Sequence, residues 1–188
     1  ELWVANSQVN FRAKAYKTVP TTHPDAPALT VSRGFMRNNF LHTCIREQGG
    51  AYGGGATQDN YSGSFKFFSY RDPRLEGTLD DFDRAIDWML QTDHEARLLE
   101  EAVLGVVGGL DKPGSPAGEA KQAFHGDLYG RTSEIKKTFR DRVLETSMED
   151  LKRVTETYLK KEFASTAVLT GKQGEGSAQP LGLTTKKL

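Results

Sequence analysis

The stretch from residue 28 to residue 70 limits the possible folds most. Leu29, Met36, Phe40, Cys44 and Ile45 fall at helical spacings, and Gly49-Gly50 comes after them, the left-handed ending that helix termini favour. The spacing predicts a helix over 28–48, ending at Arg46 to Gln48. The chain then enters residues 51–57, a run thinned by Gly53, Gly54 and Gly55, passes through the turn-rich residues 59–63, and continues in the aromatic run 64–70. Two such runs around Asp, Asn, Ser and Gly read as a β-hairpin. A helix feeding directly into a hairpin argues for an α+β fold, because a parallel α/β sheet needs regular strand-helix alternation that is absent here.

The flanking segments extend that frame. Residues 9–16 alternate apolar and polar, which predicts a half-buried strand with Val9, Phe11, Ala13 and Ala15 inward. Pro20, Pro24 and Pro27 mark a loop, with Asp25 placed to cap the helix after it. Leu79, Phe82, Ile86 and Met89 predict a helix over 75–91. A third helix is expected from Asp93, its N-cap, through Leu99, Ala102, Val103 and Val106 to Leu110, stopped by Pro113, Gly114 and Pro116. Helical pieces come next near 117–128 and 133–144. The last helix opens at Ser147, where Asp150 stands in the place a capping box gives to Glu or Gln.

Residues 164–170 read as a strand that can pair at the end of the chain, and from Gly171 the chain is polar and Gly-, Lys-, Gln- and Thr-rich. The expected organisation is one domain over 1–170, built as two layers with an antiparallel sheet backed by helices, and a loose tail over 171–188. The glycine segment is expected as the first hairpin strand, beside strand one or the chain's last strand, with Phe65 and Phe67 covering it.

Charge and composition exclude several function classes. Lys plus Arg equals Asp plus Glu at 25 each, so the chain as a whole offers no long-range attraction to nucleic acid. Hydrophobic residues make up 37% and charged residues 27%, and no apolar run nears the ~20 residues needed to span a bilayer, so no membrane role is expected. Cys44 is alone among apolar residues and reads as a small buried hydrophobe; cysteine usage favours the cytoplasm or an organellar lumen. Residues 1–4 already read as structured chain, without initiator Met or leader pattern, which suggests a piece of something longer.

The familiar catalytic patterns are missing. His23, His42, His94 and His125 include no pair at ligand spacing, so neither HExxH nor HxxEH can be written; His94-Glu95-Ala96-Arg97-Leu98 ends in Leu where the motif needs His. Gly114-Ser115-Pro116-Ala117-Gly118 joins helices, not the strand and helix of a nucleophile elbow. Gly53 to Gly55 come after a helix and fit no phosphate-cradling pattern.

What remains is Arg46-Glu47-Gln48-Gly49-Gly50-Ala51-Tyr52-Gly53-Gly54-Gly55, a guanidinium and a phenol around a glycine turn. Two uses stay open. Arg46 can complement the negative helix end while Tyr52 packs on the sheet and the glycines admit close backbone. Alternatively both side chains enter a cleft and donate hydrogen bonds to a peptide carbonyl that gains charge during hydrolysis.

The run 45–55, its continuation 64–73, the strand 9–15, and Asp111-Lys112-Pro113 with Ser115-Pro116 together resemble the final domain of the pitrilysin and insulin-degrading superfamily, closest to its presequence-protease branch. The resemblance covers almost the whole chain and implies an inverted-zincin domain fold. It further implies an N-terminal half carrying HxxEH and zinc, on the same polypeptide or a partner subunit, and peptide substrates. Carried over residue by residue, Arg46 and Tyr52 become substrate-binding positions, while this chain contributes no metal ligand and is expected to be inactive alone. The alternative is a non-catalytic peptide-binding or assembly domain of the same superfamily.

Overall fold

The structure, a computed structural model, describes residues 1–75 and 77–188. Two short elements open the chain, β1 (Leu2–Val4) and the longer β2 (Asn10–Lys17). Helix α1 (Ala26–Met36) begins with Pro27 in its first turn, where a missing N–H costs nothing, and passes straight into a π-helical stretch, Arg37–Gln48. The predicted helix thus exists, but its second half is wound more widely. The hairpin is next, as β3 (Gly53–Asp59) and β4 (Ser64–Asp72). Then come α2 (Gly77–Gln91), α3 (Ala96–Leu110), α4 (Pro116–Leu128), α5 (Ser133–Leu144), α6 (Met148–Tyr158), β5 (Ser165–Thr170) and β6 (Thr185–Lys187).

Among the described residues, six strands form one sheet in the order β3-β4-β2-β5-β1-β6. It is antiparallel from β3 to β5, and β1 joins it parallel to both β5 and β6. The glycine strand therefore pairs with β4 at the sheet edge, beside neither β2 nor the last strand as expected, because the aromatic strand β4 takes the place next to β2.

Helices cover one sheet face. On it Phe65 and Phe67 of β4 are fully buried, Phe67 stacks on Phe82 of α2 at 5.5 Å, and Tyr16 of β2 meets Phe67 edge-on at 6.0 Å. Full burial of side chains this large contributes about 1.5–3 kcal/mol each.

Three expectations need correction. In β2 the inward residues are Asn10, Arg12, Lys14 and Tyr16, while Phe11 lies on the opposite face, 38% exposed. The charges tolerate burial because distant carboxylates meet them: Arg12 pairs with Asp72 at 2.7 Å and Lys14 with Asp83 at 2.7 Å. At the start of α1, Asp25 makes no side-chain capping bond; its carboxylate accepts from Arg153 and Tyr158 of α6 instead, each at 2.8 Å. Helix α3 is preceded by Glu95, not capped by Asp93.

The chain beyond Gly171, expected as a loose tail, turns through a short 3-10 helix (Lys172–Ser177), buries Ala178, and adds β6 beside β1. Backbone hydrogen-bonding groups left bare on β1 provide the reason for that pairing. By contrast, the Ser147 cap of α6 is as expected, with Asp150 completing the reciprocal box. Cys44 is buried, and burial pushes its thiol up.

Candidate functional site

Arg46 sits in the last turn of the π-helical stretch, and the way that helix ends fixes where it points. Its carbonyl accepts from the Gly50 N–H at 3.0 Å, and Ile45 accepts from the Ala51 N–H at 3.1 Å. Gly50 adopts φ +74°, the left-handed conformation that reverses the chain without a Cβ penalty. Ile45 is buried and anchors the turn, while Arg46, one residue on, is exposed. The Arg46 side chain is therefore carried on a tied-down backbone yet directed to solvent.

Tyr52 comes just after the turn, with its N–H bonded to the Arg71 carbonyl at 3.2 Å. Its ring is 64% exposed, meets Tyr70 at 5.6 Å and has the Arg71 guanidinium 5.7 Å from its centroid. Arg46 and Tyr52 line one open concavity of 420 Å³ together with His42, Glu47 and Ala51. Among the described residues Arg46 makes no ion pair with Glu47, whose carboxylate lies 3.3 Å from His42 Nδ1.

Behind them the glycine strand is held close. A Cβ on Gly54 would lie 2.6 Å from Ile45 and 3.0 Å from the Phe68 carbonyl; one on Gly53 would enter the Tyr70 ring. The glycines thus let the strand lie against the helix end, so that Arg46 and Tyr52 share one rim. Gly49 likewise accommodates the Arg74 side chain, and Gly55 that of Arg37.

Sequence reasoning missed Arg71. The β2-β4 register slips by one residue between Asn10 and Arg12, and Arg71 takes φ +48°, a left-handed conformation costly for a side-chain-bearing residue. The resulting bulge turns Arg71 beside Tyr52. No glycine or asparagine marks this position, so the sequence held no signal for it.

Among the described residues, no group of three or more His, Cys, Asp and Glu side chains could hold a metal ion. His94, in the near-miss motif, is a packing residue: its ring contacts Phe35 and Trp88, and its Nε2 lies 3.1 Å from the Met89 carbonyl. No described helix is long and apolar enough to cross a membrane.

Comparison with known proteins bears on the family and the fold. A family model described as the PreP C-terminal domain matches residues 1–171. The chain is 37% identical over 163 residues to the mitochondrial presequence protease of Kluyveromyces lactis, covering 86% of this chain and 16% of that protein. It is 37% identical over 151 residues to the protein of the same name in Mus musculus, covering 80% and 14% respectively. The chain thus spans about a sixth of the length of these relatives.

Among solved structures, the peptidase M16 inactive domain from Pseudomonas fluorescens aligns with TM-score 0.75 and 17% identity, over 91% of this chain and 42% of that one. A protease from Helicobacter pylori aligns with TM-score 0.78 and 15% identity, over 90% and 43%. At such identities these two likenesses concern the fold. The family match and the relatives together establish that the chain belongs to the PreP C-terminal domain family.

Proposed function

We propose that this chain is the substrate-positioning domain of a zinc-dependent endopeptidase acting on unfolded peptides, working with a metal-binding N-terminal half supplied elsewhere on the same polypeptide or by a partner subunit. The observation that carries this reading is the pairing of Arg46 and Tyr52 on one open rim. The fold ties down the backbone of both residues while making little use of their side chains, so both remain available as donors to a peptide carbonyl.

Two further features support it. π-helical winding is rare and tends to occur at functional sites, and here it leads directly to Arg46. The sheet face opposite the helices carries an apolar strip that is only partly covered, with Phe11 beside Leu169 and Ala13 beside Phe68, a wall suited to extended peptide. In this role a metal held by the other half would supply an activated water, while Arg46 and Tyr52 orient the peptide and stabilise charge developing on its carbonyl oxygen. The mitochondrial relatives make a mitochondrial or other organellar lumen the compartment of choice.

The test is a comparison of this chain alone with the same chain joined to, or mixed with, the metal-binding half. Metal analysis and a fluorogenic peptide assay should give no stoichiometric zinc and no turnover alone, and chelator-sensitive turnover in the combined sample. Tight zinc with chelator-sensitive turnover by this chain alone would overturn the reading; lack of any stimulation would favour a non-catalytic assembly domain.

A further inference from the structure

At the other end of the hairpin from Tyr52 lies a larger cavity, of 930 Å³, between the hairpin turn, α4 and the start of α5. The seven residues of β3 separate the two places, about 20 Å at the usual rise of an extended strand. Lys121, Arg131 and Lys136 line the cavity, with His125 among them and, among the described residues, Asp59 as the one carboxylate. Asp59 is already occupied: it accepts from the backbone N–H groups of Tyr61 and Ser62 and from the Ser62 hydroxyl, which hold its carboxyl below the usual range. Nearby cations of α5 have partners, Lys137 with Asp141 and Arg140 with Asp111, whereas among the described residues Lys121, Arg131 and Lys136 make no ion pair.

Its aromatic wall is built around Arg131. That guanidinium lies 4.9 Å from the Tyr61 ring centroid and donates from Nη1 to the Tyr61 hydroxyl oxygen, which leaves the phenol proton free to be given to an acceptor. Tyr61 meets Tyr129 at 5.0 Å, and the His125 ring lies parallel to Tyr129 at 6.5 Å. The Arg131 Nε is buried without a hydrogen-bond partner among the described residues. Tyr61 and Tyr129 nevertheless remain 51% and 59% exposed, and α4 touches the rest of the domain sparingly. The hairpin turn and α4 thus spend aromatic surface and positive charge on a hollow that the fold leaves unfilled.

We propose that this cavity is a second peptide-holding site, which takes a carboxylate flanked by an apolar or aromatic side chain: the carboxylate on Lys136, Arg131 and the Tyr61 hydroxyl, the side chain against Tyr61 and Tyr129. A phosphate group fits less well. The Gly118 N–H at the start of α4 is occupied by its Ser115 cap, and the bearer of several negative charges would meet Asp59. The inference rests on the proposed function only for the peptide nature of the ligand, since none of its residues touches Arg46 or Tyr52 on their rim.

The test titrates the 188-residue chain with a labelled hexapeptide ending Phe-Asp, monitored by fluorescence anisotropy. The same peptide with its Asp replaced by Asn, and the same peptide with its terminus amidated, separate side-chain from terminal carboxylate; inorganic phosphate and ATP serve as competitors. Saturable binding is expected, weakened about tenfold or more by Lys136→Gln and by Arg131→Gln, left unchanged by Lys137→Gln, whose ammonium pairs with Asp141 outside the cavity lining, and lost when both peptide carboxylates are removed. Lys136→Gln keeps the test sound should Arg131→Gln loosen the hairpin turn, because Lys136 is exposed. Absent saturation, equal binding of the carboxylate-free peptide, or stronger binding of ATP than of the peptide overturns the proposal. Loss of binding with Arg46→Ala but not with Lys136→Gln overturns it as well, and leaves the role of Arg46 standing.

Discussion

Arg12 and Asp72 form an ion pair of 2.7 Å in which neither side chain is exposed to solvent. Asp72 also accepts from the Thr78 hydroxyl at 2.7 Å and the Arg74 N–H at 3.0 Å, whereas among the described residues Arg12 has only Ser69 besides, at 3.3 Å. Burial draws the Arg12 guanidinium down to about 10 in spite of the attraction of Asp72. Removing one partner of such a pair leaves a buried charge uncompensated, so Asp72→Asn should destabilise the domain by about 3–5 kcal/mol. Arg12→Met should cost less, because Asp72 keeps two other donors. Urea midpoints of both variants check the order; equal losses would contradict it.

Asp25 links the start of α1 to Arg153 and Tyr158, and this linkage should show in acid. Burial works to raise its carboxyl, yet the hydrogen bonds from Tyr158 and Arg153 outweigh burial and hold it below the usual range. Tyr158 is raised to about 12, by burial first and then by Asp25. A carboxyl depressed on folding contributes stability above the ordinary carboxylate range and loses it as pH falls through the folded value. Asp25→Asn should therefore cost about 1 kcal/mol near neutrality, a figure kept small by the half-exposed Arg153, and the gap to the parent should close on acidification. A gap that is independent of pH would refute the linkage.

The glycines of β3 should not tolerate substitution equally. At Gly54 a Cβ meets the buried Ile45 and a backbone carbonyl, neither of which can move cheaply, so Gly54→Ala should destabilise by about 1–3 kcal/mol. At Gly53 the obstacle is the Tyr70 ring, the far end of a half-exposed side chain, which can swing aside. Thermal melts of Gly53→Ala and Gly54→Ala should then differ, with Gly54→Ala the lower; the reverse order would show that β3 is not held against the helix end.

Much of this architecture was legible in the residues. Apolar spacing located α2, α3 and the helix that carries Arg46, and the hairpin was evident from its turn residues and aromatic strand. The buried face of β2 was not legible: Phe11, Ala13 and Ala15 are the apolar set, but Arg12 and Lys14 go inward because Asp72 and Asp83, some sixty or more residues away in sequence, receive them. Alternation within one strand carries no information about such partners. The same limit hid β6, whose polar residues show no apolar alternation and pair with β1 and with distant carboxylates such as Glu1, and the bulge at Arg71, which a residue other than glycine occupies. Arg46 and Tyr52 stood out in sequence as a pair; the structure adds Arg71 and Tyr70 beside Tyr52.

The central claim, that Arg46 and Tyr52 serve a peptide and not the fold, is tested most directly by kcat/KM and a denaturant midpoint for Tyr52→Phe in the polypeptide that also carries the metal-binding half. The substitution removes one hydroxyl donor and leaves the ring on Tyr70 and Arg71, so packing is preserved. The account predicts a fall in kcat/KM of roughly ten- to a thousandfold with an unchanged midpoint, and a fall of the same order for Arg46→Ala. Parental turnover with a lowered midpoint in both variants would contradict it, and would make Arg46 a helix-end cation and Tyr52 a sheet aromatic.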